Sequence, residues 1–203
     1  VMKSQNVKKT RSIRRKKSDL NENLLSAAKA EIIEHGFENA TITNIVKRAK
    51  IQANVFYNRY DNIHGLFDKL IRPYDYWLED NVKFSGNNSI ERLCNAINTL
   101  IDFLHEDLFL QRLLAWEISN DNYLTKRSTS KKEIFFSYSI EQYCDLPDHN
   151  TAEIKKQFSL IIGGVYYHFI SRTANPAFDN SISSEKDIEE LKKYTRNIIS
   201  NLF

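Results

Sequence analysis

LLSAAKAEIIEHGFENATITNIVKRAKIQANVFYNRYDNIHGLF, Leu24 to Phe67, is the stretch whose apolar spacing decides how this chain folds. Leu24, Leu25, Ala28 and Ile32 share one helical face, and Asp19 with Glu22 ahead of them reads as a capping signal. Gly36 predicts a left-handed stop, with Phe37 folding back on the last turn. Thr41 is the expected N-cap of a second, short helix to Ala49, whose Ile42, Ile45, Val46 and Ala49 fall at i, i+3, i+4, i+7. After Lys50-Ile51-Gln52 a third short helix carries Val55, Phe56 and Tyr60, and Asp61 or Asn62 caps a fourth with Leu66, Phe67, Leu70 and Ile71. Two short helices joined by a tight turn predict a helix-turn-helix.

Outward from this stretch the helical period continues. Glycine and proline number five and three in 203 residues, and no strand pair is discernible. Longer helices are predicted over about 74–84, 89–105, 107–120, 130–144, 152–174 and 185–202, with Pro73 kinking the end of the fourth helix and connections at 85–88, 146–148 and 175–184. The expected fold is all-α, with about nine helices: a basic arm over 1–18, a three-helix helix-turn-helix module over 19–72, and a helical body over 73–203.

Charge follows the same division. Residues 1–18 carry eight bases and no acid, residues 19–72 seven of each, and residues 73–203 fourteen bases against nineteen acids. A cationic arm before a neutral module fits a polyanion partner, since lysine and arginine beside phosphates release condensed counterions; a solubilising tail is the alternative. The two cysteines, Cys94 and Cys144, form no CxxC pair and no histidine stands at zinc-ligand spacing, so neither a disulfide framework nor a structural metal is expected. No apolar run reaches the roughly 18 residues of a membrane span and the lysine-rich start lacks a secretory h-region, so a cytoplasmic protein is expected. Without a GxSxG elbow, phosphate loop, HExxH pair or cysteine-histidine signature, enzyme chemistry has no foothold and no cofactor is expected. His105-Glu106-Asp107 is the most polar cluster and reads as a helix junction cap rather than an acid-base pair.

Residues 20–67 resemble the N-terminal DNA-binding domain of the TetR (tetracycline-repressor) family. Ala27-Ala28, Gly36-Phe37, Thr41, Ile45, Ala49, Ile51, Phe56-Tyr57, Tyr60 and Leu66-Phe67 fall at that family's spacing without an internal gap. Four departures stand out: Lys50 where the turn commonly has glycine, Gln52 in place of a serine or threonine cap, Ala53-Asn54 for a common lysine-glycine pair, and Ile63 for a lysine that often meets a phosphate. A left-handed backbone at Lys50 must be avoided or its strain tolerated.

The B-DNA major groove, about 12 Å wide, admits one helix. In such a docking Ile51, Val55 or Phe56, and Tyr60 face inward, and Gln52, Ala53, Asn54, Tyr57 and Asn58 face the groove. Gln52 and Asn54 can each pair bidentately with adenine, Ala53 can touch a thymine methyl, and Tyr57 can hold a phosphate or base edge, which predicts a preference for A·T pairs. Thr41, Thr43, Lys47 and Arg48 are the expected phosphate contacts, Thr43 beside a helix N-terminus. The arm then lies along the backbone or enters the minor groove.

The resemblance also implies a small-molecule effector bound in the body and a homodimer through the last two helices, together reading a palindromic operator. Nineteen of the 24 aromatic residues lie beyond residue 72. Tyr74, Trp77, Phe103, Trp116, Phe135, Tyr138 and His168 are the candidate effector contacts, with ordinary core as the competing role. Leu160, Ile161, Gly164, Tyr167 or His168 and Ser171 form one candidate dimer stripe, and Ile188, Leu191, Thr195, Ile198 and Leu202 the other. The expected function is a ligand-released repressor. A TetR-like activator, coactivator or partner-binding subunit is the alternative that the departures at Lys50, Asn54 and Ile63 raise.

Overall fold

The computed structural model describes residues 17–145, 150–174 and 184–203. The basic arm up to residue 16 and most of the last two expected connections lie outside them. The described residues form ten α-helices and no strand: α1 Lys17–His35, α2 Ile42–Arg48, α3 Ala53–Tyr57, α4 Ile63–Ile71, α5 Trp77–Asn81, α6 Ser89–Glu106, α7 Leu108–Ser119, α8 Tyr123–Tyr143, α9 Thr151–Ala174 and α10 Glu185–Leu202, with a 3-10 turn at Arg72–Asp75.

Several predicted ends are present with their chemistry. The Thr41 hydroxyl accepts from the Asn44 N–H, Asn62 Oδ1 from the Gly65 N–H, and Asp107 Oδ1 from the Phe109 and Leu110 N–H groups, which makes Asp107 the junction cap expected of the polar cluster. Gly36 takes φ 81°, and its N–H bonds the Ile32 carbonyl at 2.8 Å. Proline in the first turn of the 3-10 segment ends α4 as expected, because its ring removes a donor.

Three boundaries differ. The first helix starts at Lys17, two residues before Asp19, which sits in its first turn beside the positive end of the helix dipole. The helix expected over 74–84 is broken into the 3-10 turn and the five-residue α5. α8 begins at Tyr123 rather than near 130, because Asn122 and Thr125 form a reciprocal capping box. Phe37, in the core cluster with Leu24 and Ile32 of α1, stacks on Trp116, centroids 4.4 Å apart and planes within 9°, with Phe67 edge-on at 5.1 Å. Such pairs contribute about 0.5–1.5 kcal/mol beyond their buried area.

That cluster lets the first four helices share one apolar core with the rest of the chain, continuous past the expected boundary at residue 72. Around it α1 lies on α7, α8 on α4 and α9, and α10 along α6. Polar ties reinforce the junction. Arg112 Nε donates to the Ile33 carbonyl at 2.9 Å, Lys29 Nζ to the Tyr74 hydroxyl at 3.0 Å, and that hydroxyl to Asp107 Oδ2 at 2.6 Å.

The turn between α2 and α3 settles the question raised by Lys50. Its φ is 53°, so lysine occupies the left-handed position. The Lys50 N–H bonds the Lys47 carbonyl and the Ile51 N–H the Val46 carbonyl, each at 3.1 Å, the hydrogen-bond pattern of a Schellman cap. Ile51 then packs against the core and holds the geometry against the strain at its neighbour. Lys50→Gly is expected to raise unfolding stability by about 1 kcal/mol and Gly36→Ala to lower it by a similar amount, measured by urea denaturation.

Candidate nucleic-acid interface

α3 has five residues, too few to be helical alone, so its shape is imposed from behind. Phe56 is fully buried, with Tyr57 edge-on at 5.4 Å and Tyr60 tilted at 5.6 Å. The inner-face alternative is thereby decided for Phe56, with Val55 only half-buried. The N-terminal end of α1 clasps both ends of the unit: Asn23 Nδ2 donates to the Ala49 carbonyl and the Tyr60 hydroxyl to Asn21 Oδ1, each at 2.7 Å.

With that face buried, Gln52, Ala53, Asn54, Tyr57 and Asn58 are all exposed on the opposite side, Tyr57 at 57%. Gln52 is the N-cap residue but makes no side-chain cap bond, so its amide is spared for other partners. Thr41, Thr43 and Lys47 are exposed beside them; the Thr41 hydroxyl already accepts the Asn44 N–H yet keeps its own proton to donate.

Arg48 is placed differently from expectation. Its Nε lies 2.9 Å from buried Glu31 Oε2 and its Nη2 bonds Glu34, so the guanidinium ties α2 to α1 instead of standing free for a phosphate. The hydrogen bond from Arg48 is the main cause that holds the Glu34 carboxyl below its usual range. Lys50, exposed on the turn, is a cation in the same neighbourhood that the sequence reading treated only as a departure. Its side chain direction depends on the left-handed backbone, which no local pattern signals.

The helical body has two sizeable openings. One, of ≈ 510 Å³, is a groove between α9 and α10; the other, of ≈ 470 Å³, is a cavity between α7, α8 and α9. None of the seven candidate effector contacts lines the second. Trp77 stacks on Phe103 at 5.1 Å, Trp116 on Phe37, and Tyr74 joins Lys29 to Asp107. Phe135 packs between Phe84 and Phe136, Tyr138 is exposed, and His168 lines the α9–α10 groove. Apart from exposed Tyr138 and groove-lining His168, these rings fill the core and its seams, because flat apolar surface is drawn to whatever helix passes over it.

The α7–α8–α9 cavity is instead marked by groups that aromatic spacing could not flag. Lys132 Nζ lies 2.7 Å from Glu117 Oε1, both side chains over nine-tenths buried, and donates to Ser128 Oγ at 2.9 Å. Burial pushes the Lys132 ammonium down, against the opposing pull of Glu117 and Asp75. One turn earlier on the same helix, Arg127 reaches Asp68 of α4 at 2.5 Å and Asp75 at 3.0 Å. Burial tends to raise the Asp68 carboxyl, but hydrogen bonds from Arg127 and Arg72 hold it below its ordinary value. α8 therefore bears on both the cavity and the last helix of the N-terminal unit.

Among the described residues no group of three or more His, Cys, Asp or Glu could hold a metal, and no helix is long and apolar enough to cross a membrane. Residues 24–70 match the family model for bacterial regulatory proteins of the tetR family. No curated protein sequence matches the chain. Similar solved structures include the fatty acid degradation regulator FadR from Bacillus halodurans (16% identity, 91% of this chain and 96% of that one covered, TM-score 0.63). Others are FadR from Bacillus subtilis in complex with stearoyl-CoA (15%, 90% and 98%, 0.62) and a TetR family transcription regulator from Marinobacter aquaeolei (14%, 92% and 98%, 0.60).

The buried pair gives a direct test of the cavity wall. Glu117→Gln is expected to cost about 3 kcal/mol in urea denaturation, because it strands a buried ammonium, while Glu117→Met with Lys132→Met together should recover most of that loss. The helix-turn-helix unit thus matches the tetR-family model of bacterial regulatory proteins over residues 24–70, and the chain as a whole has a fold similar to that of solved TetR-family transcriptional regulators.

Proposed function

We propose that this chain is a sequence-specific DNA-binding transcriptional regulator, a homodimer that represses from a palindromic operator and is released by a small molecule in its helical body. The observation that carries this reading is the exposed row Gln52, Ala53, Asn54, Tyr57 and Asn58 on a helix whose other side is locked by Phe56 and Tyr60. The two amides offer bidentate pairing to adenine and the alanine methyl suits thymine, so A·T-rich half-sites are the preferred target. Thr41, Thr43, Lys47 and Lys50 serve the flanking phosphates, and the arm adds counterion release. Such a regulator works in the cytoplasm.

One α3 contacts too few bases to select a site, so a twofold partner is required, its copy about 34–36 Å away in the next major groove. The surface for that partner is the face of α9 and α10. Leu160 is 76% exposed, Ile198 48% and Leu202 37%, apolar side chains side by side in one groove. Gly163 and Gly164 leave open space beside α9 for close backbone approach. Ile161, Ser171, Ile188, Leu191 and Thr195, from the same predicted stripes, are buried within the subunit. The division at residue 72 is then functional: reading below it, dimerisation and effector binding above it.

The α7–α8–α9 cavity is the effector site in this reading, in keeping with the stearoyl-CoA complex of the Bacillus subtilis neighbour. An occupant that shifts α8 moves Arg127 against Asp68 and Asp75, and through α4 alters the spacing of the paired α3 helices.

Asn54→Ala and Tyr57→Ala are each expected to weaken binding to a selected DNA fragment about tenfold or more, with helical content unchanged. Gel-shift competition against random DNA is the measurement; equal affinity of the parent chain for all sequences would instead favour a partner-binding subunit. Leu160→Asp is expected to convert the dimer to a monomer in sedimentation velocity and to abolish specific binding, since two half-sites could no longer be held together.

A further inference from the structure

The α7–α8–α9 cavity has a lining of two chemistries. Leu114, Ile118, Phe136, Ile140, Phe158 and Ile162 supply an apolar body. Set into it are the Lys132–Glu117 pair and Tyr166, whose hydroxyl is buried and has no hydrogen-bond partner. An unmet buried hydroxyl costs about 1–3 kcal/mol, so it marks where a partner belongs.

Both groups offer donors. Burial, with Glu117 adding to it, keeps the Tyr166 phenol protonated. The Lys132 ammonium has three N–H groups, of which Glu117 and Ser128 take two. Yet the buried part of the wall holds no spare positive charge, because Glu117 already neutralises Lys132; of the other two lining cations, Lys155 pairs with Glu141 and Lys156 is exposed to solvent. A ligand carboxylate would be buried against Glu117 without a cation of its own, and a ligand ammonium would be buried beside Lys132 with Glu117 already shared.

We propose that this cavity binds a mainly apolar molecule bearing one uncharged oxygen acceptor, a ketone, ester, lactone or amide carbonyl, held by the Tyr166 hydroxyl and the remaining Lys132 N–H. This rests on reading the cavity as the effector site. Its wall from Thr129 to Ile140 of α8 runs about 16 Å, room for an extended alkyl chain beside the carbonyl.

The test is calorimetric titration of the full chain with methyl undecyl ketone, laurate and laurylamine, each below its aggregation threshold. The ketone should bind at least tenfold more tightly than the other two, and Tyr166→Phe should weaken it about tenfold while leaving the ligand-free melting temperature unchanged or higher. Equal or tighter binding of laurate or laurylamine, binding of none of the three, or an unaltered ketone affinity in the folded Tyr166→Phe chain would each overturn the assignment. Gel shift on a selected DNA fragment separates this from the regulator reading. A ketone that binds without changing DNA affinity keeps the chemistry and removes the effector role; DNA release by laurate without ketone binding does the opposite.

Discussion

A helix of five residues has no stability of its own, and everything α3 can do depends on the packing that forces it into shape. Phe56 inserts fully into the core, Tyr60 reaches back to Asn21, and Asn23 holds the Ala49 carbonyl at the turn. The two hydrogen bonds belong to α1, which is long enough to act as a rigid spine. The left-handed Lys50 is the cost of this arrangement, about 1 kcal/mol by the sterics of a Cβ at positive φ. It is tolerated because two Schellman bonds, buried Ala49 on one side and partly buried Ile51 on the other over-determine the turn.

The same spine joins the small unit to the rest of the molecule. Phe37 stacked on Trp116, Arg112 on the Ile33 carbonyl and the Lys29–Tyr74–Asp107 chain fasten α1 and its end to the start and middle of α7. On the other side, Arg127 fastens α4 to α8. The apolar seam is stiff and insensitive to salt, whereas the Arg127 contact is ionic and partly exposed. A movement of α8 would therefore spend itself first at Asp68 and Asp75, leaving the aromatic seam as a pivot.

Of the aromatic residues expected to contact an effector, four pack where helices meet. Trp77, Phe103, Trp116 and Phe135 are large, and large flat side chains stabilise a small protein most where helices meet. The cavity is distinguished by Lys132, Glu117 and Tyr166, three polar groups from three helices. Along α8, Lys132 sits among Lys131 and Glu133 and looks like an ordinary solvated charge; only the passage of α7 over it makes it a buried one. Arg48 shows the converse, since it resembles a free phosphate contact until Glu31 and Glu34 of α1 are found beside it.

Local periodicity and capping chemistry were enough to place α1, α2 and α4, Gly36, Thr41 and the Asp107 junction, because those features act within one turn of chain; they left Asp61 and Asn62 as equal caps and put Tyr60 on the third helix, which ends at Tyr57. The exposed row on α3 followed from the same spacing, once Phe56 and Tyr60 were assigned inward. The start of α8 at its Asn122–Thr125 box was also local but weak, its first turns lacking an apolar face strong enough to notice. Tertiary structure alone decided which conformation Lys50 takes, which cations stay free, and where the body opens. Those outcomes depend on which side chains distant segments bring within a few ångströms, and burial, which changes the energy of a charge far more than sequence neighbours do, is set only there.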